Sequence, residues 1–281
     1  MSPATRPSRA RPLRVSGEGR RLPLVLLIPA LLGLALLVLP LLALAVRAPW
    51  GRLGELLTGD AVLPPLLLSL GTAALATLAC LVLGVPLALL LERSAAWPLV
   101  PRRLLRALLT LPLVLPPVVG GIALLLLLGR RGLIGQGLAA IGLPLPYTTG
   151  AVVIAQTFVA LPFLVFAVEG ALRSTDRRGE LAAATLGASR AQTFRLVTLP
   201  LVAPGVAAGA ALCFTRALGE FGATITFAGS LPGVTRTLPI ASYLALQSDP
   251  EAAIALALVL LVAAVAVLVA LRDRWLPGVA G

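Results

Sequence analysis

The residues of this 281-residue chain able to do chemistry gather in two short stretches. In one, Arg216 and Glu220 stand four apart, with Thr215, Thr224 and Thr226 beside them. Hydroxyls, backbone N–H groups and a guanidinium can together hold a tetrahedral oxyanion. An Arg and a Glu four apart on a helix can also simply pair with each other, and both readings stand open. Arg236, between Thr235 and Thr237, can face an arriving anion or a partner protein, or lie in a solvated loop. The other stretch runs from Glu180 to Pro200. Its first residues are good helix formers, Gly187 suits a left-handed turn at a helix end, and Ser189 with Gln192 spells a capping box. The spacing predicts two short helices broken at Gly187, with the next segment beginning at Pro200. Ala182, Ala183 and Gly187 then form a small-residue surface that another protein can approach closely. The plainer alternative is an amphipathic connector.

Other chemistry is poorly supplied. The chain has no His and two Cys, Cys80 and Cys213, far apart in apolar stretches. A metal cluster needs more soft or imidazole ligands than that, so the cysteines read as packed small hydrophobes. Without His or paired carboxylates at helical spacing inside an apolar run, an intramembrane enzyme is disfavoured. All 23 basic residues are Arg, so no Lys can complete a phosphate-binding loop.

The elements that must position these residues are membrane spans. The chain is 59% apolar and 12% charged, with mean hydropathy +1.02, far from the roughly 45–50% and 25% of a soluble domain. About 20 apolar residues cross the hydrocarbon core. On that rule residues 22–46, 61–91, 107–129, 150–172, 196–215 and 252–271 are six predicted spans, with turn residues at Gly142, Pro144, Pro146 and Gly150 ahead of the fourth. Ala43-Leu44-Ala45 resembles a signal cleavage site, but the apolar run before it exceeds the roughly 7–15 residues of a signal core. The Arg distribution fits both termini in the cytoplasm. With that orientation 17 Arg fall inside and only Arg47, Arg52, Arg130, Arg131, Arg216 and Arg236 outside, as the positive-inside rule requires. The +12 net charge is thereby assigned to an anionic membrane face and not to nucleic acid. Residues 1–21 read as a disordered basic tail, and 22–272 as the membrane domain.

Within the spans, Pro112, Pro116 and Pro117 deprive a helix of backbone donors and bend it. Such irregularity at membrane depth suits a pathway-lining helix, or a packed kink with no transport role. Gly205 and Gly209 form a Gly-x-x-x-Gly pair that permits close helix approach. Glu169 and Arg173, four apart, can pair.

The Glu180–Pro200 loop resembles the Glu-Ala-Ala signature of bacterial ABC-importer permeases. Ala182, Ala183, Gly187, Val197, Leu199 and Pro200 fall at the signature's spacing, while Glu180 stands one residue early, with Leu181 in its place. Leu111–Gly120, Gly129–Gly135, Arg216–Phe227 and Pro232–Pro239 resemble molybdate permease subunits in particular. Sulfate permeases share the Leu-Gly-Glu-Phe-Gly core and usually diverge after it. The resemblance covers roughly residues 60–272. It implies an all-α, six-span permease of the type I importer kind, in a bacterial cell membrane, with no catalytic residue, metal or cofactor of its own. The loop at 173–200 becomes a coupling loop, with Glu180, Ala182, Ala183, Gly187, Leu199 and Pro200 docking an ATP-binding subunit present in two copies. An extracytoplasmic molybdate-binding protein and a second copy of the chain are the other implied partners. Thr215, Arg216, Glu220, Thr224, Thr226 and Pro116 become candidates for the substrate pathway. Sulfate, thiosulfate and tungstate remain alternative substrates. An ion-driven carrier is argued against by the coupling loop, since it would need charged mid-membrane sites and repeated halves.

Overall fold

The computed structural model describes residues 24–59, 61–176 and 178–275, and the predicted basic tail at 1–21 lies outside them. The chain divides into two units, 1–46 and 47–281. The described part of the first is α1 (Leu24–Val46), a continuous apolar helix through Pro29 and Pro40. Its side chains are almost all exposed, as befits a helix meant to face lipid.

The second unit is also helical. After α2 (Leu53–Thr58), the long α3 (Leu63–Arg93) is followed by α4 (Leu99–Val114) and α5 (Pro117–Leu128). A short α6 (Gly135–Ala140) precedes α7 (Thr149–Ser174). Then come α8 (Arg178–Thr185), α9 (Arg190–Thr193) and α10 (Leu199–Leu218). Short α11 (Gly222–Phe227) and α12 (Leu238–Ala245) lead to α13 (Pro250–Trp275). Among the described residues, five helices are long and apolar enough to cross a membrane, or six if the bent pair α4 and α5 counts as one.

That pair corrects the third predicted span. Residues 107–129 are not one helix: α4 and α5 meet at a 113° bend. Pro116 and Pro117 provide no N–H to carry the ladder across the break, and Leu115 and Pro116 are extended there.

The centre is the packing of α3, α7 and α10. Its buried residues are mostly small, among them Ala73, Ala76, Cys80, Ala160, Cys213 and Ala217. In lipid there is no hydrophobic drive between helices, so small residues that let backbones approach supply the dispersion contact instead. The two cysteines, distant in sequence, are both buried free thiols in this cluster, and Cys80 Sγ donates to the Thr157 carbonyl. The Gly205–Gly209 pair faces inward within the same subunit: side chains there would collide with Ala171 and Ala167 of α7. A second cluster joins α5, the first half of α7, and α11 through Leu124, Val152, Val159, Ala223 and Phe227.

Candidate functional site

The Glu180–Pro200 loop folds as its residues predict up to Thr193. α8 ends at a turn in which Gly187 N–H bonds the Ala184 carbonyl and Ala188 N–H bonds that of Ala183. This double bond needs a left-handed residue between, and Gly187 has φ +82°. At the start of α9, Gln192 N–H donates to Ser189 Oγ and Ser189 N–H donates to Gln192 Oε1, a complete capping box. Gly187 and Ala182 are exposed, Ala183 is half-buried, and open space surrounds the position of a Gly187 side chain.

The predicted boundary at Pro200 is corrected. α9 does not stop: a π-turn over Phe194–Thr198 joins it to α10, so one helix runs from Arg190 to Leu218. Leu199 N–H reaches back five residues to Phe194. The wider turn falls just where Pro200 withholds a donor, and so keeps the helix unbroken. Leu199 and Pro200 therefore sit inside a helix.

A side-chain hydrogen bond braces this loop from within. Thr198 Oγ1 donates to Glu180 Oε1 at 2.5 Å, tying α8 to the π-turn. A cleft of about 450 Å³ opens between the loop and the C-terminal ends of α3 and α7, lined by Glu92, Arg93, Asp176, Glu180 and Arg190 among others. Glu180, offset from the signature's spacing, thus holds its own loop together. Close by on α7, the carboxylate of Glu169 is 5% exposed and sits between two guanidinium groups, Arg106 at 2.5 Å and Arg173 at 2.6 Å. The Arg173 contact follows from helical spacing. Arg106, on α4, reaches it from 63 residues away.

At the far end of the Arg190–Leu218 helix, the Arg216 stretch forms a compact polar cluster. Glu220, its side chain 1% exposed, meets Arg216 Nη1 at 2.7 Å through Oε2. Its Oε1 accepts the Ala223 N–H at 2.9 Å. One carboxylate therefore restrains the Arg and fixes the start of α11. The structure selects pairing for these two in the conformation described. The Arg216 side chain remains 28% exposed, so the pair is not fully enclosed. Thr215 and Thr226 donate to the carbonyls of Ala211 and Gly222 within their own helices. Thr224 is fully buried with an unpartnered hydroxyl. Pro116 caps α5, whose helix packs on α11 through Gly222 against Pro117 and Val118. Arg236 donates to the Ser230 carbonyl, and Thr235 Oγ1 accepts from Leu231 N–H, so this loop is internally braced.

Sequence reasoning missed three features. Leu181, Leu186 and Leu196 project from the loop at 66%, 88% and 70% exposure; large apolar side chains on an otherwise polar connector were the available signal. Gln156 is a buried amide in an apolar span, visible in the sequence as the one amide side chain of that helix. The Arg106–Glu169 contact had no local signal. Among the described residues no group of His, Cys, Asp and Glu could hold a metal ion.

Residues 84–277 match the family model of the binding-protein-dependent transport system inner membrane component. The chain is 52% identical over 253 residues to the molybdenum transport system permease protein ModB of Mycobacterium tuberculosis, covering 90% of this chain and 95% of that one. It is 37% identical over 237 residues to the sulfate transport system permease protein CysT of Salmonella typhimurium, covering 83% and 84%. Among solved structures, a bacterial alginate ABC transporter superposes with TM-score 0.71 at 18% identity, over 91% of this chain and 95% of that chain.

Proposed function

The chain belongs to the binding-protein-dependent transport system inner membrane component family, and from that premise we propose how it works as the permease subunit of a molybdate importer. It is a multi-pass membrane protein that acts with a separate ATP-binding subunit and a substrate-binding protein. The substrate reading rests on the 52% identity to a molybdenum permease against 37% to a sulfate permease. Tungstate, of nearly the same size and charge, offers the same contacts.

One observation carries the mechanism: the unbroken helix from Arg190 to Leu218. At one end it holds the capped turn beside Gly187, at the other Arg216. At 1.5 Å per residue it is about 43 Å long. A push on the loop is therefore delivered to the polar cluster by a continuous rod, whose soft points are the π-turn and Pro204. A two-state machine needs such an element, biased by a ligand at one end and read out at the other.

In this reading the loop at 173–200 faces the cytoplasm and docks on the ATP-binding subunit through Ala182, Ala183, Gly187 and the exposed Leu181 and Leu186. Both termini lie on that side, as the Arg count requires. Two ATP-binding subunits close on ATP, so two loops are needed, and one loop per chain makes the permease a homodimer about a two-fold axis. The binding protein releases the oxyanion at the opposite face, near Arg216, Glu220 and Thr224. Closure of the ATP-binding pair moves the rods, and the spans rock to open the path first outward and then inward. A dianion that meets a half-neutralised Arg is attracted without being trapped.

Molybdate-loaded binding protein is expected to raise ATP hydrolysis by the reconstituted complex several-fold, while sulfate-loaded binding protein leaves it at the basal rate. Equal stimulation by the two would overturn the substrate assignment.

A further inference from the structure

Gln156 lies two turns into α7, between Ala155 and Thr157. It is fully buried, and neither its Nε2 nor its Oε1 has a hydrogen-bond partner. An amide without a partner in an apolar interior is costly. Polar side chains between membrane helices commonly hold them together by bonding across the interface. This one bonds to nothing in the conformation described, so glue is not its role there.

Its surroundings indicate where a partner would come from. Helical spacing puts Val152, Val159 and Ala160 around it on α7. Val152 and Val159 belong to the cluster with α5 and α11, and Ala160 to the cluster with α3 and α10. Gln156 thus lies on the seam between them. The antiparallel register of α7 and α10 fixes its level. Gly205 faces Ala171 and Gly209 faces Ala167 and Leu164, so four residues along one helix match about four along the other. Continued, that register brings Ala217 to Glu220 level with Gln156. Thr224, the fully buried hydroxyl without a partner, is on α11, which packs on the same part of α7.

The cover over this seam is a block. A side chain at Gly121 of α5 would come within 2.8 Å of the Ala223 carbonyl oxygen, and one at Gly222 of α11 within 3.1 Å of Pro117. The two helices are thereby pressed together, and the Leu115–Pro116 break leaves the block a hinge to α4.

We propose that Gln156 contacts the oxyanion in transit: when the α5–α11 block parts from α7, the Gln156 amide and the Thr224 hydroxyl open onto the path beside Arg216 and donate hydrogen bonds to the passing anion. The inference rests on the importer reading above. An acceptor-only dianion matches the two N–H donors of a primary amide and the O–H of Thr224. Neutral donors also let it leave again, which a further guanidinium would oppose.

The test is Gln156→Leu in the complete complex reconstituted in proteoliposomes. Removing an unsatisfied buried amide is expected to hold or raise the thermal midpoint, while ATP-driven uptake falls by about ten-fold or more. A structural residue would not combine gained stability with lost transport. Uptake within about two-fold of wild type would overturn the proposal. A second measurement does not depend on which anion moves. With Cys80 and Cys213 replaced by Ala, Gln156→Cys is expected to react with a charged, membrane-impermeant thiol reagent during ATP turnover and to stay unreactive without nucleotide. No labelling in either condition would also overturn it. Wild-type uptake run in parallel tests the importer reading, so the two failures are told apart.

Discussion

A chain carrying Gly187→Asp is expected to lose about ten-fold or more of its ATP-driven uptake while its spans remain folded. Two effects combine. Gly187 sits at φ +82°, where a side chain costs about 1–2 kcal/mol, although Asp tolerates this region better than most residues. Among the described residues, no atom beyond its chain neighbours lies within 4 Å of where its Cβ would project. The obstruction therefore falls on whatever docks there. Gly187→Ala separates the effects, since it adds strain and almost no bulk. It is expected to retain most of the uptake. Helical content and thermal midpoint of both variants should match wild type within the strain cost, while the Asp variant continues to hydrolyse ATP without import. Near-normal uptake by Gly187→Asp would show that the turn is not a docking surface.

Arg216→Ala is expected to have the larger effect on the folded state. It leaves Glu220, 1% exposed, as a buried carboxylate without its counter-ion, at a cost of about 3–5 kcal/mol. Folded yield should drop sharply. Adding Glu220→Gln removes the uncompensated charge and keeps an oxygen to accept the Ala223 N–H, so the double variant should regain most of that stability. It should not regain uptake, because the Arg216 guanidinium is the proposed contact for the anion. Recovery of both properties would reduce Arg216 to a counter-ion for Glu220 and remove it from the path. Purified thermal melts and uptake rates on the same three preparations decide the question.

Features set by neighbours along one helix were legible in the sequence. The Ser189–Gln192 capping box, the left-handed Gly187, and the pairs Glu169–Arg173 and Arg216–Glu220 all follow from spacings of three or four residues. The apolar runs likewise announced the spans. Features set by where helices meet were not legible. Pro116 and Pro117 signalled a bend, but the 113° turn depends on α5 packing against α11. Pro200 read as a boundary because a proline usually ends a helix. A π-turn over Phe194–Thr198 absorbed it instead, and that turn is tied to α8 by the Thr198–Glu180 hydrogen bond. The Arg106–Glu169 contact and the burial of Cys80 and Cys213 in one cluster depend on tertiary register, which has no local signature. Gln156 was visible as a residue, yet only its complete burial without a partner gave it meaning.

The central claim is that this permease, driven by an ATP-binding partner, carries molybdate inward. Its most direct test is uptake into proteoliposomes containing the permease, its ATP-binding subunit and its binding protein, with molybdate outside, ATP inside and sulfate as competitor. Molybdate accumulation is expected to require ATP and to persist in a large excess of sulfate. Accumulation abolished by sulfate, or no movement of molybdate by a complex that still hydrolyses ATP, would contradict it.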